Sequence, residues 1–203
     1  MKLQISIIFL FIISLNKTFA QSDHLEPIDG ILNAPNYKYE YHSNIREILL
    51  KDFDEYSQVR YIVTPSFEPE FALEISRDST SKYYVNYHHS NKKIWRVKDK
   101  NSIEILKIKK GIPEESAILV EELFNKALAQ TRYIHKDLIG GDGIRYYFFN
   151  NFESGTTWSP KQGTRMEQLV NICNDLIKFA NNNEIDLAFD LKKRIKRLIR
   201  KIN

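Results

Sequence analysis

The stretch FALEISRDSTSKYYVNYHH, residues 71–89, decides the fold. On both sides of Asp78-Ser79-Thr80, apolar or aromatic side chains alternate with smaller or polar ones. A period of two residues is typical of a half-buried β-strand. A short polar gap between two such runs is typical of a hairpin. We therefore predict two antiparallel strands here.

The same period extends to either side of this hairpin. It begins at Gln58, continues after the hairpin at Trp95 and Val97, and starts again at Ile103 and Ile105. Five strands in succession with no helix between them favour an antiparallel meander over a βαβ arrangement. A sheet of this kind usually packs one face and leaves the other in contact with water.

After Pro113 the period becomes helical. Proline in a first turn, followed by Glu114 and Glu115, is a common helix opening, and this helix is expected to run to about Tyr133. A second helix follows the capping box Thr164-Arg165-Met166-Glu167 and ends at residues 181–183. The third is expected from about Glu184 to Ile202.

Between the first two helices, residues 144–149 carry apolar or aromatic side chains on both faces, which predicts a strand in the middle of the sheet. Gly140-Gly141-Asp142-Gly143 before it is interpreted as a turn. Residues 150–163 are then the loop from this strand to the second helix.

These elements predict a single α+β domain over residues 45–203, with an antiparallel meander sheet packed against three long helices. Residues 21–44 are expected to form an irregular N-terminal arm. Within the arm, a short edge strand is the alternative, because polar residues alternate there with Tyr37, Tyr39 and Tyr41. Residues 45–53 favour one short helix.

Residues 1–20 have the features of a signal peptide. A positive start is followed by an eleven-residue, mostly apolar run from Ile5 to Leu15 and by small residues at Thr18 and Ala20. The run is shorter than the roughly 20 apolar residues that a membrane-spanning helix needs. We expect cleavage near Ala20 and export to the periplasm or the exterior. The alternative is a buried N-terminal strand or helix.

Cys173 is the only cysteine, so no disulfide can form within the chain. It shares a helical face with apolar residues and is expected to be a buried thiol. A nucleophilic cysteine would need an electropositive, partly exposed setting, which no neighbour in the sequence supplies.

Basic residues are concentrated near the C-terminus. Without Lys2 and Lys17 of the predicted signal peptide, the chain has 28 basic and 26 acidic residues. Seven of the basic ones lie in the last helix: Lys192, Lys193, Arg194, Lys196, Arg197, Arg200 and Lys201. We interpret this helix as one that packs its apolar side on the core and exposes its basic side to solvent. Weak contact with an anionic lipid or envelope polymer is the second interpretation. Nucleic acid is disfavoured by the predicted export and the acidic remainder of the chain.

The sequence contains no compact catalytic or cofactor motif. There is no G-x-S-x-G, HExxH, paired CxxC or P-loop. His88 and His89 are neighbours on a strand, so their rings should face opposite sides of the sheet. We therefore expect neither a cofactor nor a metal site, and the pattern favours a protein without catalytic activity.

Trp158 is the leading candidate for a contact residue. Its indole could stack on a sugar ring or a partner side chain while the neighbouring hydroxyl groups form hydrogen bonds. The predicted binding residues are Glu153, Thr156, Thr157, Trp158 and Ser159. In the alternative interpretation, the ring folds back over the open end of the sheet.

Two classes of function remain open. The first is an exported, non-catalytic binding protein whose ligand the sequence does not identify. The alternative is a small periplasmic hydrolase acting on cell-envelope material. Its candidate residues are His88, His89, His135, Asp137 and Glu153.

Three segments carry a resemblance to a known group of proteins: VTPSFEPE at 63–70, GDG at 141–143 and TWSP at 157–160. Over about the last two-thirds of the mature chain, the sequence is similar to small exported proteins of Bacteroidota-type bacteria. The resemblance implies a bacterial, exported setting. It implies no activity and no site residue.

Overall fold

The computed structural model describes residues 23–28, 36–54, 57–133 and 142–202. The predicted signal peptide, His135 and Asp137 lie outside these ranges. The helices are α1 (Asn36–Asn44), α2 (Glu114–Leu128), α3 (Arg165–Asn181) and α4 (Phe189–Ile202). The strands are β1 (Val59–Pro65), β2 (Phe71–Arg77), β3 (Tyr83–Ser90), β4 (Ile105–Ile112), β5 (Ile144–Phe149) and β6 (Ser154–Trp158). A π-helical turn, Ile45–Leu49, continues α1, and Lys100–Ser102 form a short 3₁₀ helix.

The six strands form one antiparallel sheet in the order β4-β3-β2-β1-β5-β6. The α+β class is confirmed, and β1 to β4 form the expected meander. The meander ends there, because β5 returns across α2 to pair with β1 on its open side. As predicted, β5 lies inside the sheet, between β1 and β6.

The first face of the sheet carries the larger core. Alternate residues of β1, β2 and β3, among them Tyr61, Leu73 and Val85, pack against α2, α3 and α4. Tyr61 and Phe148 from neighbouring strands are fully buried there with their rings 5.1 Å apart. Burial of these aromatic and aliphatic side chains is the main stabilising contribution to the fold.

The second face carries a smaller core under a layer that the sequence did not predict. The other alternate residues, including Ile62, Ala72 and Tyr147, pack against Ile45 and Leu49 of the π-helical turn. The expected three long helices are therefore joined by a fourth helix, α1, on the opposite face. This layer covers only part of the second face.

Two buried glutamates fasten that layer to the sheet. Glu70, with none of its surface exposed, accepts hydrogen bonds from the Tyr41 hydroxyl of α1 (2.8 Å) and the backbone N–H of Ile94 (2.7 Å). Its other neighbour is the ammonium group of Lys93, 3.5 Å away. Glu74 accepts from the backbone N–H of Asp54 (3.2 Å), just beyond the π-helical turn.

Two strand predictions near this layer are wrong. Residues 37–41 belong to α1, because a five-residue alternation fits either period and the hydrogen bond from Tyr41 to Glu70 favours the helix. Trp95 and Val97 lie in the turns between β3 and β4, where buried Ile94 anchors the segment in the second core. The fourth of the five expected strands is therefore absent, and the fifth corresponds to β4.

The loop expected at residues 150–163 is also wrong, because its middle is strand β6. The turn is confined to residues 150–153, where the Asn150 side-chain oxygen accepts from the N–H groups of Phe152 (2.8 Å) and Glu153 (2.6 Å). The next residues are small because Leu25 passes close by: a Cβ on Gly155 would lie 2.9 Å from the Cβ of Leu25. Ser, Gly and Thr therefore occupy a strand here although they favour turns.

The helix boundaries follow their capping signals. The Thr164 hydroxyl accepts from the N–H of Glu167 (3.2 Å), so Thr164 is confirmed as the cap. The Glu167 carboxylate reaches back as expected, but it accepts from the N–H of Gly163 (2.5 Å), one residue before the cap. The first and last long helices are shorter than expected, ending at Leu128 and beginning at Phe189. Cys173 is fully buried in α3, as predicted, and burial raises the pKa of its thiol.

Candidate functional site

The uncovered part of the second face holds a cleft of about 500 Å³. Its floor is formed by β2 and β3, one wall by β4, and the opposite wall by residues 52–54. It is lined by Asp52, Phe53, Asp54, Glu74, Ser76, Arg77, Asp78, Asn86, His88, Lys107, Ile108 and Lys109. The cleft is widely open to solvent, and its volume lies within the 300–1,000 Å³ that is typical of sites for small molecules.

Glu74 and Asn86, directly opposite each other on β2 and β3, form the centre of the floor. The Asn86 amide donates to the Glu74 carboxylate (2.9 Å) and to the Ser76 hydroxyl (3.0 Å). Burial raises the pKa of Glu74, while the bonds from Asp54, Asn86 and Arg60 partly offset that effect. Because the amide donates twice toward β2, the side-chain oxygen of Asn86 is its remaining acceptor.

His88 lies beside them and is 5% exposed. Its Nδ1 lies 2.7 Å from the backbone carbonyl of Leu49, which can only accept, so Nδ1 carries the proton. Burial lowers the pKa of His88, and its ring lies against that of Phe53 with centroids 4.4 Å apart. The neutral ring therefore presents Nε2 as an acceptor, and Nε2 has no hydrogen-bond partner among the described residues.

The wall formed by β4 is basic. Lys107, opposite His88 in the strand register, forms an ion pair with Asp52 across one end of the cleft. Lys109 lies opposite Asn86 with its ammonium group 4.3 Å from the centre of the Tyr84 ring. No carboxylate of the described residues pairs with Lys109. The cleft thus combines buried acceptors with a cation on the neighbouring strand.

Of the residues that line this cleft, the sequence identifies only His88 as a candidate, for a hydrolase. The signal available was the polar set of alternate residues at Glu74, Asn86 and His88. It is equally typical of a solvated sheet face. Only the packing of residues 45–54 turns this face into a cleft.

A second candidate is the outer face of α4. Its apolar stripe, including Leu191, Ile195 and Leu198, is buried between α2 and α3, so the helix is packed as the first interpretation expected. Lys192 and Arg194 form ion pairs with Asp186 and Asp175. The other five predicted cations, Lys193, Lys196, Arg197, Arg200 and Lys201, are exposed and pair with no acid of the described residues.

Two large exposed apolar side chains lie at the start of α4. Phe189, the first residue of α4, is 83% exposed, and Ile185 before it is 88% exposed. Phe189 lies one helical turn before Lys193 and two turns before Lys196, so these side chains share one side of the helix. We call Ile185, Phe189 and the five exposed cations the α4 surface.

The predicted contact residues at 153–159 lie on and around β6. Thr156 and Thr157 are buried, and the Thr156 hydroxyl donates to the backbone of Tyr146 (2.9 Å). Trp158 is half-buried against Gly143, while Glu153 and Ser159 are exposed. Both threonines are therefore buried in the sheet. Binding of a partner by the Trp158 indole stays a prediction.

The candidates for a hydrolase lie apart in the described part of the chain. His88 lines the cleft, whereas His89 lies on the other face of the sheet, near Phe71 and Tyr87. Glu153 lies in the β5–β6 turn, where Asn150 donates to it (3.4 Å). No group of three or more potential metal ligands comes together among the described residues.

No protein-family model, curated protein or solved structure matches this chain. The site must therefore be interpreted from its own chemistry.

Proposed function

We propose that this protein is an exported, non-catalytic binding protein that attaches to anionic lipid surfaces through the α4 surface. The observation that carries the proposal is the group of five exposed cations next to two exposed apolar side chains. The apolar side of α4 is occupied by the core, so only this outer side is available to a partner.

The cations supply the attraction. Lysine or arginine close to an anionic membrane contributes about 1 kcal/mol, and the effect decays over a Debye length. A cluster on one helix face therefore produces a substantial contact with a charged surface. The same residues on a neutral surface would gain little.

Ile185 and Phe189 favour lipid over a soluble anionic polymer. Exposed side chains of this size at the edge of a basic helix can enter the headgroup region, where apolar burial adds to the electrostatic attraction. A polymer of charged groups offers them no comparable apolar environment.

Export rests on the features of residues 1–20. N-terminal sequencing of the protein recovered from its native compartment should begin near residue 21. Within the described part of the chain, no helix combines the length and apolar composition needed to cross a bilayer. Attachment through a helix face would hold the protein at a membrane without such a span.

The test is co-sedimentation with vesicles of phosphatidylglycerol and phosphatidylcholine, compared with vesicles of phosphatidylcholine alone. Replacing Lys193, Lys196 and Arg197 by Gln should weaken binding to the anionic vesicles by roughly 100-fold, since three contributions of about 1 kcal/mol are lost. Binding of the unchanged protein should also fall as salt is raised.

The matched control changes three exposed cations elsewhere. Lys92→Gln, Arg96→Gln and Lys98→Gln on the β3–β4 connection remove the same net charge. If both triple variants lose binding equally, net charge alone attracts the protein and the α4 surface is not the attachment site. Phe189→Ser should reduce binding to anionic vesicles while leaving binding to heparin unchanged.

A further inference from the structure

We propose that the cleft between residues 52–54 and strand β4 binds a small zwitterion, a free α-amino acid or a short peptide. The ammonium group of the ligand donates hydrogen bonds to the acceptors of the floor, and the carboxylate of the ligand pairs with Lys109. The cleft is formed by a different part of the sheet from the face on which α4 packs. This inference therefore does not depend on the proposed attachment to lipid.

The acceptors come from two residues of one strand. Nε2 of His88 and the side-chain oxygen of Asn86 are two residues apart on β3 and point to the same face of the sheet. Neither atom has a hydrogen-bond partner among the described residues. The His88 residue is more than nine-tenths buried and lines the cleft, where its Nε2 is available to accept from a ligand's N–H group.

The two residues are fixed before a ligand arrives. His88 is held by Leu49 and by the ring of Phe53, and Asn86 is held by Glu74 and Ser76. Binding therefore does not have to order these side chains, which lowers its entropic cost.

The cation lies at the right place for the other end of the ligand. Lys109 is the cross-strand neighbour of Asn86, and residues paired in this way have Cβ atoms about 5 Å apart. The terminal charges of a dipeptide can be separated by a similar distance because each extended residue adds about 3.3–3.6 Å, whereas those of a free α-amino acid lie closer together. Lys107 is less suited because Asp52 already neutralises it.

The overall charge of the lining favours a zwitterion over a simple anion. The cleft has four carboxyl groups, at Asp52, Asp54, Glu74 and Asp78, and three cations, at Arg77, Lys107 and Lys109, while a fourth cation, Arg60, lies 3.5 Å from Glu74. A purely anionic ligand would be repelled by the first set, and a purely cationic one would leave Lys109 without a partner. A molecule with both an ammonium and a carboxylate group complements the acceptors of the floor and the ammonium group of Lys109.

The test is titration of the ¹⁵N-labelled full chain with L-alanine and with L-alanyl-L-alanine. Changes in chemical shift should be largest at the side-chain amide of Asn86 and at Nε2 of His88. The ligand that binds more tightly shows whether the cleft takes a free amino acid or a short peptide. N-acetylated and C-amidated alanyl-alanine each lack one charge and should bind at least about tenfold more weakly, equivalent to about 1.4 kcal/mol.

Two variants separate the recognition from folding. Lys109→Gln should weaken alanyl-alanine at least about fivefold, and His88→Asn should weaken it while an amide still donates to Leu49. The matched controls are Lys98→Gln, outside the cleft, and His89→Asn, on the opposite face of the sheet. Both should leave the dissociation constant unchanged.

Three results would overturn the inference. They are an absence of shifts at Asn86 and His88 with either ligand, equal binding of the capped and free peptides, and tighter binding of D-glucuronate than of alanyl-alanine. The last would assign the cleft to hydroxylated anions. Loss of vesicle binding by the α4 variants has no bearing on these outcomes, so the two proposals fail separately.

Discussion

At the scale of single residues, Gly143 shows why the segment before β5 needs a glycine. A Cβ at this position would lie 2.4 Å from Nε1 of the Trp158 indole and 2.7 Å from the Ser159 hydroxyl. The backbone carbonyl of Gly143 also accepts from the N–H (2.9 Å) and the hydroxyl (2.8 Å) of Ser66. Gly143 therefore joins the β1–β2 connection to the end of β6.

Gly143→Ala should lower the free energy of unfolding by about 1–3 kcal/mol, because the half-buried indole must move to admit the methyl group. Chemical denaturation monitored by tryptophan fluorescence measures both the loss and the displaced ring. Gly111→Ala on β4 is the matched control, since a Cβ there meets nothing within 4 Å. Equal stabilities of the two variants would show that Trp158 does not pack on Gly143.

At the scale of elements, Lys110 ties the edge strand β4 to the end of α3. Its ammonium group donates to the backbone carbonyls of Phe179 (2.6 Å) and Asn182 (2.7 Å) and to the Asn182 side chain (2.8 Å). It also lies 3.9 Å from the centre of the Phe179 ring. The cation supplements the bond from the N–H of Asn182 to the Phe179 carbonyl (3.3 Å), gives the Asn182 carbonyl a donor, and interacts favourably with the helix dipole.

Lys110→Met should cost roughly 1–3 kcal/mol of unfolding free energy, since the carbonyls at the end of α3 lose a charged donor. Thermal and denaturant unfolding measure the change. The neighbouring Lys109→Met removes the same charge from a side chain that forms no hydrogen bond with another described residue, so its effect should be much smaller. A large loss from Lys109→Met as well would assign the effect to β4 as a strand instead of to the contact with α3.

At the scale of the whole molecule, the sheet separates two cores of different size. The first joins β1–β3, β5 and the three long helices, whereas the second rests on a short helix and a π-helical turn. Glu70 links that layer to the sheet by accepting from Tyr41 and Ile94. The cleft depends on this layer because its outer wall, residues 52–54, follows directly from the π-helical turn.

Glu70→Ala should therefore loosen the second layer selectively. Removing one partner of a buried ion pair typically costs about 3–5 kcal/mol, and here it also leaves the N–H of Ile94 without its acceptor. Hydrogen exchange should accelerate in residues 36–54 and 91–104 while α2 and α3 stay protected. Uniform acceleration throughout the chain would show instead that the two cores unfold together.

The sequence by itself determined the elements whose signals are local and repeated. Strands β1 to β3 follow from a period of two residues, and β5 follows from apolar residues on both faces. The start of α3 follows from its capping box, whose two hydrogen bonds form within five residues. These signals depend on neighbours in the chain and need no knowledge of distant contacts.

Only tertiary contacts determine that residues 36–44 form a helix, that residues 154–158 form a strand, and that the cleft exists. Tyr41 and Glu70 are far apart in the sequence, and so are Leu25 and Gly155, yet these contacts hold one segment in a helix and allow another to be a strand. The acceptors of the cleft lie on β3, where the alternating polar residues predict a sheet face exposed to solvent. They line a cleft because residues 45–54 fold back over that face and bury His88, a contact between distant segments that no local pattern encodes.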